Sequence, residues 1–203
     1  MANVLAPVGF LHQGNSEGAS PTFGHKQMLV ANADSTALGR GDPVMIKSTG
    51  YISAWTNGTA VSQLFGIFMG CRYLSSTSGV GIIRSNYWSG SGATGDITAD
   101  IIPLQLSTPA VFLAQAASGV TVAFADIGQT CDVTMGTPSS TTGLSGAAIA
   151  NLGTTATQPF RIMGYNGAVG PAISPSGAIN DFTSAGAWIY VTANIGGTGV
   201  TGI

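Results

Sequence analysis

A serine between glycines near the amino terminus is the first residue pattern with catalytic potential. Gly14–Gly18 reads GNSEG and matches G-x-S-x-G, the nucleophile elbow of serine hydrolases. That elbow needs a strand before the serine and a helix after it. Here ASPTF follows, and Pro21 blocks a helix. Only His25 is available as the later base, so the sequence does not favour a serine hydrolase.

A glycine-rich segment at Gly90–Gly95 is the second such pattern. It reads GSGATG and matches G-x-G-x-x-G, in which a following helix binds the pyrophosphate of a dinucleotide. The following residues, DITADIIPLQL, have the character of a strand and contain a proline. We therefore interpret this segment as a loop and expect no cofactor.

The histidines, His12 and His25, are the only imidazoles in the chain. Catalytic zinc sites usually take three protein ligands, and Glu17 is the nearest carboxylate to this pair. Nothing in the spacing of the three residues requires them to meet. We interpret both histidines as surface or interface residues and expect no metal site.

The aspartates include two close pairs, Asp96 with Asp100 and Asp126 with Asp132. Such pairs occur as the acid and base of glycosidases and as calcium ligands. An aspartate beside glycine in a chain rich in strands is more often a turn former, because its side chain accepts hydrogen bonds from nearby backbone N–H groups. We favour the turn interpretation and assign no catalytic residue.

The two cysteines, Cys71 and Cys131, have no metal-ligand spacing and form no C-x-x-C motif. We expect both to be small, buried, apolar side chains. The sequence does not decide whether they pair.

Aromatic residues allow two interpretations. They could form a face on which a sugar stacks, or they could anchor the core and interfaces. The side chains concerned are Trp55, Trp88, Trp188, Tyr51 and Tyr87.

Charge is scarce throughout the chain. Of 203 residues, 6 are basic and 8 acidic, which makes 7% charged against about 25% in ordinary soluble domains. Six scattered cations form no basic face for nucleic acid, and 30 glycines argue against a helix bundle. No apolar run is long enough for a membrane span, and MANVLAPVGF does not resemble a signal peptide. A surface so poor in charge is weakly protected against association, so we expect it to be covered in an assembly.

Short apolar runs between turn residues predict strands along most of the chain. We expect an all-β fold, a single β-sandwich or β-barrel domain of jelly-roll type, with one short helix near Ser145 at most. The segment GVTVAFAD at Gly119–Asp126 alternates like a strand. The predicted core residues are Phe65, Phe68, Phe112, Phe124, Phe160, Ile162 and Ile189.

The amino-terminal residues 1–26 differ from the rest, because they show no period of strand or helix. We predict three parts: an extended contact arm at 1–26, the β-domain at 27–195 and a flexible tail at 196–203. Spaced apolar side chains in an arm are suited to lie on a neighbouring molecule. The predicted contact residues are Phe10, Leu11, His12, Phe23 and His25.

Several segments, in order, resemble the capsid decoration (cement) proteins of tailed bacteriophages. The start MANVLAPVGF is similar to their A-P-x-G-[FL] opening, and the next three segments are similar to a GDPV … G-x-[IV] … LG-[IV]-F-x-G-x-x-Y run. Thr108 and Ser89 depart from the residues usual at their positions. The matching segments are TALGRGDPV (36–44), GYISA (50–54), LFGIFMGCRYL (64–74), NYWSGSG (86–92), STPAVFLAQA (107–116), ADIGQTCDV (125–133), TTGLSG (141–146) and FRIMGY (160–165).

The resemblance implies a structural virion protein without catalytic residues. Such a protein sits on the outer surface of an icosahedral head and bridges neighbouring subunits of the major capsid protein. It also implies a homo-oligomer, a dimer or trimer, with no nucleic acid or membrane partner. Two alternatives stay open: a carbohydrate- or receptor-binding module of a phage fibre, and a shell protein that assembles by itself.

Overall fold

Strands form nearly all of the regular structure. The computed structural model describes residues 3–15, 24–104, 109–166, 172–173, 179–182 and 184–194. Apart from two single 3₁₀ turns, Val61–Gln63 and Phe124–Asp126, every element in these residues is a strand. The strands are β1 (Leu11–Asn15), β2 (Lys26–Val30), β3 (Leu38–Gly39), β4 (Pro43–Ile46), β5 (Ile52–Ala54), β6 (Leu64–Leu74), β7 (Ile82–Ser85), β8 (Tyr87–Trp88), β9 (Ile97–Pro103), β10 (Ala110–Gln115), β11 (Thr130–Thr134), β12 (Ala148–Gly153), β13 (Phe160–Tyr165), β14 (Ala172–Ile173), β15 (Ile179–Asn180) and β16 (Trp188–Ala193). No helix among the described residues is long and apolar enough to cross a membrane.

Two antiparallel sheets make up the body. The first has the strand order β1-β10-β16-β13-β11-β12. The second has the order β2-β9-β6-β4-β5, and β7 pairs with the far end of the long strand β6. Two small ladders, β3 with β8 and β14 with β15, complete the pairing. The sheets do not close into a barrel, so the all-β prediction is confirmed in its sandwich-like form.

The core has two parts, one on each face of the second sheet. The larger part lies between the sheets and joins Leu64 and Ile67 of β6 to Phe112 of β10 and Val191 of β16. The smaller part includes Phe68 and is covered by Leu38 and Trp88 of the short β3–β8 ladder. Burial on both faces explains why β6 reads as a long apolar run with little alternation.

The predicted core is confirmed at five of its seven positions. Phe65 is only partly buried, and Phe124 is 79% exposed. The Phe124 prediction was wrong because the alternation in GVTVAFAD does not produce a strand: Phe124–Asp126 is a 3₁₀ turn, closed by a hydrogen bond from the Ala123 N–H to Asp126 Oδ2 at 2.7 Å. The short helix predicted near Ser145 is also wrong, since the apolar residues that follow form β12. The five confirmed residues are Phe68, Phe112, Phe160, Ile162 and Ile189, all 0% exposed.

The amino-terminal segment is part of the domain as far as it is described. Leu11–Asn15 form β1, which pairs antiparallel with β10 at the edge of the first sheet. Phe10 is 1% exposed, stacks on Phe160 at 4.4 Å between ring centroids and meets Phe112 edge-on at 6.3 Å. The boundary drawn at residue 26 therefore does not separate an arm from the body at residues 3–15. Phe10 is not a free anchor, because its apolar partner is this chain's own core.

Phe10→Ala tests this placement. Truncating a fully buried phenylalanine removes its transfer free energy and leaves a cavity, so we expect the free energy of unfolding to fall by about 3–5 kcal/mol. Urea denaturation followed by tryptophan fluorescence measures it. Val4→Ala, at a side chain 56% exposed, is the matched control and is expected to change stability by less than about 0.5 kcal/mol. Equal stability of Phe10→Ala and the wild type would show that residues 3–15 do not pack as described.

Candidate protein-contact site

A buried carboxylate organises the region from which the amino-terminal segment emerges. Asp42, in the turn before β4, is 1% exposed. Its Oδ2 accepts a hydrogen bond from the Gly39 N–H at 2.7 Å, and its Oδ1 accepts one from the Ser145 hydroxyl at 2.5 Å. Ser145 Oγ in turn accepts the Ala147 N–H at 2.8 Å. These bonds join the second sheet to the loop that leads into β12.

The amino-terminal segment meets this junction at a glycine. Gly9 has φ +76°, and a Cβ placed there would lie 2.5 Å from the Ser145 Cβ and 2.6 Å from the Gly41 carbonyl oxygen. Only glycine fits such an approach and such a dihedral angle. The next residue, Phe10, donates its N–H to Gly41 O at 3.0 Å and turns its ring into the core. The glycine–phenylalanine pair thus fixes where the chain enters the body.

Two amide side chains hold residues 3–6 against the body: that of Gln115 in β10 and that of Asn3 within the segment. Gln115 is 1% exposed; its Nε2 donates to Val4 O at 2.7 Å and Gly186 O at 2.9 Å, while its Oε1 accepts the Ala6 N–H at 3.0 Å. Asn3 Nδ2 donates to Asp181 O at 2.7 Å, and its Oδ1 accepts the Asp181 N–H at 2.8 Å. The Val4 carbonyl and the Ala6 N–H therefore both have partners within the protein.

Three large apolar side chains stay exposed, and a chain of contacts connects them. Val4 and Leu5 are 56% and 49% exposed, and the Phe182 ring, next to the Asp181 partner of Asn3, lies 4.0 Å from that of Tyr165. Phe124 is 79% exposed, with its ring 6.3 Å from that of Tyr165. We call Val4, Leu5 and Phe124 the terminal patch. Large apolar side chains held on an ordered backbone are suited to bury against a partner at little entropic cost.

The other predicted contact residues have different surroundings. Leu11 and His12 are partly buried in β1, and the His12 ring lies 5.4 Å from that of Phe112. Among the described residues, neither His12 ring nitrogen has a hydrogen-bond partner, and burial lowers the pKa of His12. His25 is exposed just before β2. Phe23 and the tail at 196–203 lie outside the described residues.

The tryptophans do not provide the stacking face that a sugar needs. Trp55, Trp88 and Trp188 are 3%, 0% and 1% exposed. A side chain with no exposed ring face cannot stack on a ligand. The core interpretation of these residues is correct, and the sugar-stacking interpretation is wrong for all three.

The cysteines are buried and unpaired. Cys71 lies in the smaller core and Cys131 in the larger one, so the second sheet separates them. Burial in apolar surroundings raises the pKa of the Cys71 thiol to about 12 and raises that of Cys131 as well. Neither thiol is an activated nucleophile.

Among the paired aspartates, Asp126 has a turn contact, whereas the partners of Asp96 are distant in sequence. Asp96 accepts the Tyr51 hydroxyl at 2.7 Å and the Asn32 N–H at 3.0 Å. Asp126 closes its own 3₁₀ turn. The GSGATG segment leads into β9, a strand, so it has no helix to bind a pyrophosphate. Within the described ranges, no group of three or more histidine, cysteine, aspartate or glutamate residues could hold a metal ion.

The sequence reasoning missed the residues that define this site. Gln115 carries a usable signal, since a glutamine inside the apolar strand AVFLAQAA needs buried partners. Asn3 and Val4 carry none, because their neighbours are distant in sequence. Phe124 was assigned to the core on its residue type.

Comparison with known proteins identifies no relative. No family model matches the chain, and neither a curated protein nor a solved structure is significantly similar to it. The function must therefore be argued from this chain's own residues.

The stability of the Asp42 junction should depend on pH. Burial raises the pKa of Asp42 to about 6 from 3.8, against the two hydrogen bonds, which lower it. Because the folded value is the higher one, Asp42 contributes stability that is fully present below pH 3.8 and is lost as the pH rises through 6. The contribution of Asp42 to the free energy of unfolding therefore falls by about 3 kcal/mol between pH values well below 3.8 and well above 6.

Asp42→Asn isolates this effect. The difference in unfolding free energy between the wild type and Asp42→Asn, measured by urea denaturation from pH 4 to 7.5, should favour the wild type increasingly on the acid side. His12 and the other carboxylates titrate in both proteins and largely cancel in this difference. Asp132→Asn is the control for the loss of one carboxylate. A difference that does not change with pH would contradict the raised pKa.

Proposed function

We propose that this protein is a non-enzymatic structural protein of a phage virion. It binds the outer surface of an icosahedral head and stabilises it by bridging neighbouring subunits of the major capsid protein. The observation that carries the proposal is the terminal patch, in which Val4, Leu5 and Phe124 are exposed although Gln115 and Asn3 hold the amino-terminal segment to the body.

The low charge supports a protein partner. With 14 charged side chains in 203 residues, the protein has few groups that must stay hydrated when a surface is covered. A decoration protein binds the assembled shell better than the separated subunits, and such preferential binding stabilises the shell by linkage. Apolar contacts suit this role because they do not weaken with ionic strength.

The segments that resemble decoration proteins have structural roles in this fold. GRGDPV contains Asp42 and begins β4, LFGIFMGCRYL is the central strand β6, and TTGLSG leads to Ser145. These residues help to determine how the two sheets meet. Such a structural role would explain why the pattern of the decoration proteins consists of turn and strand residues. The carbohydrate-binding alternative loses its proposed platforms, because the tryptophans are buried.

Co-sedimentation with expanded, undecorated heads of the cognate phage tests the proposal. We expect the wild type to bind, and the variant Val4→Ser/Leu5→Ser/Phe124→Ser to bind at least about tenfold more weakly, since it loses apolar area at the patch. The matched control, Val4→Ile/Leu5→Met/Phe124→Leu, keeps the patch apolar and should bind like the wild type. Thermal unfolding verifies that both variants are folded.

Two results would overturn the proposal. Failure of the wild-type protein to bind heads would remove the proposed function. Closed particles formed by the purified protein alone, seen by electron microscopy, would instead favour the self-assembling shell protein.

A further inference from the structure

A row of exposed and partly exposed side chains crosses four strands of the second sheet. In the register of the sheet, Leu29 of β2 lies opposite Thr98 of β9, Thr98 opposite Arg72 of β6, and Arg72 opposite Arg84 of β7. Residues directly opposite in antiparallel strands point to the same face. Two arginines therefore stand side by side at one end of this row, with Arg84 on β7, which pairs only with β6 among the described strands.

This arrangement places like charges directly opposite, which destabilises a sheet. Among the described residues, no carboxylate oxygen lies within 4 Å of either guanidinium group. The ion pair that these residues do contain, Lys47 with Asp34, lies outside the arginine site. Arg72 Nη2 instead donates to Gln27 Oε1 at 2.9 Å, which orients its guanidinium. Two of the chain's 6 cations are therefore adjacent, and no carboxylate of the described residues forms an ion pair with either of them. A partner that supplies negative charge would relieve this repulsion.

A cavity of about 390 Å³ lies at the pair. Its floor is formed where a bulge shifts the register between Phe68 and Gly70, so that no side chain fills the space at Gly70. Both arginines and Gln27 line it, and the carboxylate of Asp100 is also in its wall. The lining therefore carries two positive charges and one negative charge, and it offers guanidinium N–H groups to a ligand.

Exposed apolar side chains flank the arginine pair. Leu74 and Ile82 lie opposite each other two register positions further along β6 and β7 and are 49% and 73% exposed, and Leu29 at the other end of the row is 45% exposed. An arginine centre with an apolar surround is typical of protein interfaces, where arginine is enriched. A free inorganic anion would not use the apolar surround.

We propose that Arg72 and Arg84 form a second docking site, which binds the carboxylate of an acidic side chain on a protein partner. Guanidinium groups match a carboxylate through paired N–H···O bonds. A nucleic acid is not the proposed occupant, because the chain has a net charge of −2 and the described lining of the cavity holds no cation besides the two arginines. The choice of partner rests on the proposed function. The acidic side chain belongs to a major capsid subunit other than the one that the terminal patch contacts.

The first experiment compares shell binding by the full-length wild type, Arg72→Gln/Arg84→Gln and the control Arg161→Gln, which removes an exposed arginine from the other sheet. At low salt, we expect the double variant to bind at least about tenfold more weakly and Arg161→Gln to bind like the wild type. Raising the NaCl concentration from about 50 to about 300 mM should weaken the wild type more than the double variant. The melting temperature of the double variant should be equal to or above that of the wild type, since a repulsion is removed.

The second experiment does not need a shell. An oligoglutamate peptide should shift the NMR signals of the Arg72 and Arg84 Nε–H groups in the wild type, whereas oligolysine should not. If heads fail to bind but oligoglutamate shifts these signals, the arginine site stands and the proposed function falls. If the double variant binds heads like the wild type, the site is overturned and the proposed function stands. A dimer or trimer that dissociates on Arg72→Gln/Arg84→Gln would overturn the assigned partner in favour of a second copy of this chain.

Discussion

The burial of one carboxylate determines how the parts of this protein meet. Asp42 has lost nearly all contact with water, and an isolated carboxylate in that position would cost several kcal/mol. The Gly39 N–H and the Ser145 hydroxyl offset part of this, which requires the turn before β4 and the loop before β12 to lie against each other. Desolvation still exceeds these bonds, which is why the pKa of Asp42 is raised and not lowered. The buried Asp42 carboxylate thus costs stability but specifies how the turn before β4 and the loop before β12 lie against each other.

The amino-terminal segment depends on this junction. Gly9 fits between Ser145 and Gly41 because it has no side chain, and that fit delivers Phe10 to the core between the sheets. Before Gly9, the buried amide of Gln115 satisfies the backbone at Val4 and Ala6. The apolar side chains of Val4 and Leu5 stay largely exposed on this segment.

The sequence predicted the class of fold because alternation and turn residues are local signals. The strands and most of the buried phenylalanines could be inferred from neighbouring residues alone. The amino-terminal segment could not, since β1 pairs with β10 almost a hundred positions away and Phe10 meets Phe160 beyond that. The strand predicted for GVTVAFAD was wrong for the opposite reason. Its local alternation was outweighed by a 3₁₀ turn, in which Asp126 accepts a hydrogen bond from the Ala123 N–H. Likewise, the adjacency of Arg72 and Arg84 depends on the register of β6 and β7 and has no signature in sequence.

In the proposed function, bridging two subunits of a shell requires two contacts that point to different neighbours. The terminal patch includes residues of the amino-terminal segment, whereas the arginine pair lies on β6 and β7 of the second sheet. Their chemistry also differs, since one buries apolar area and the other pairs charge. Each contact alone can be weak, because after the first has formed the second is intramolecular and benefits from a high effective concentration. Separated subunits present only one of the two targets at a time, so a protein built in this way distinguishes a closed shell from its parts without a strong individual interaction.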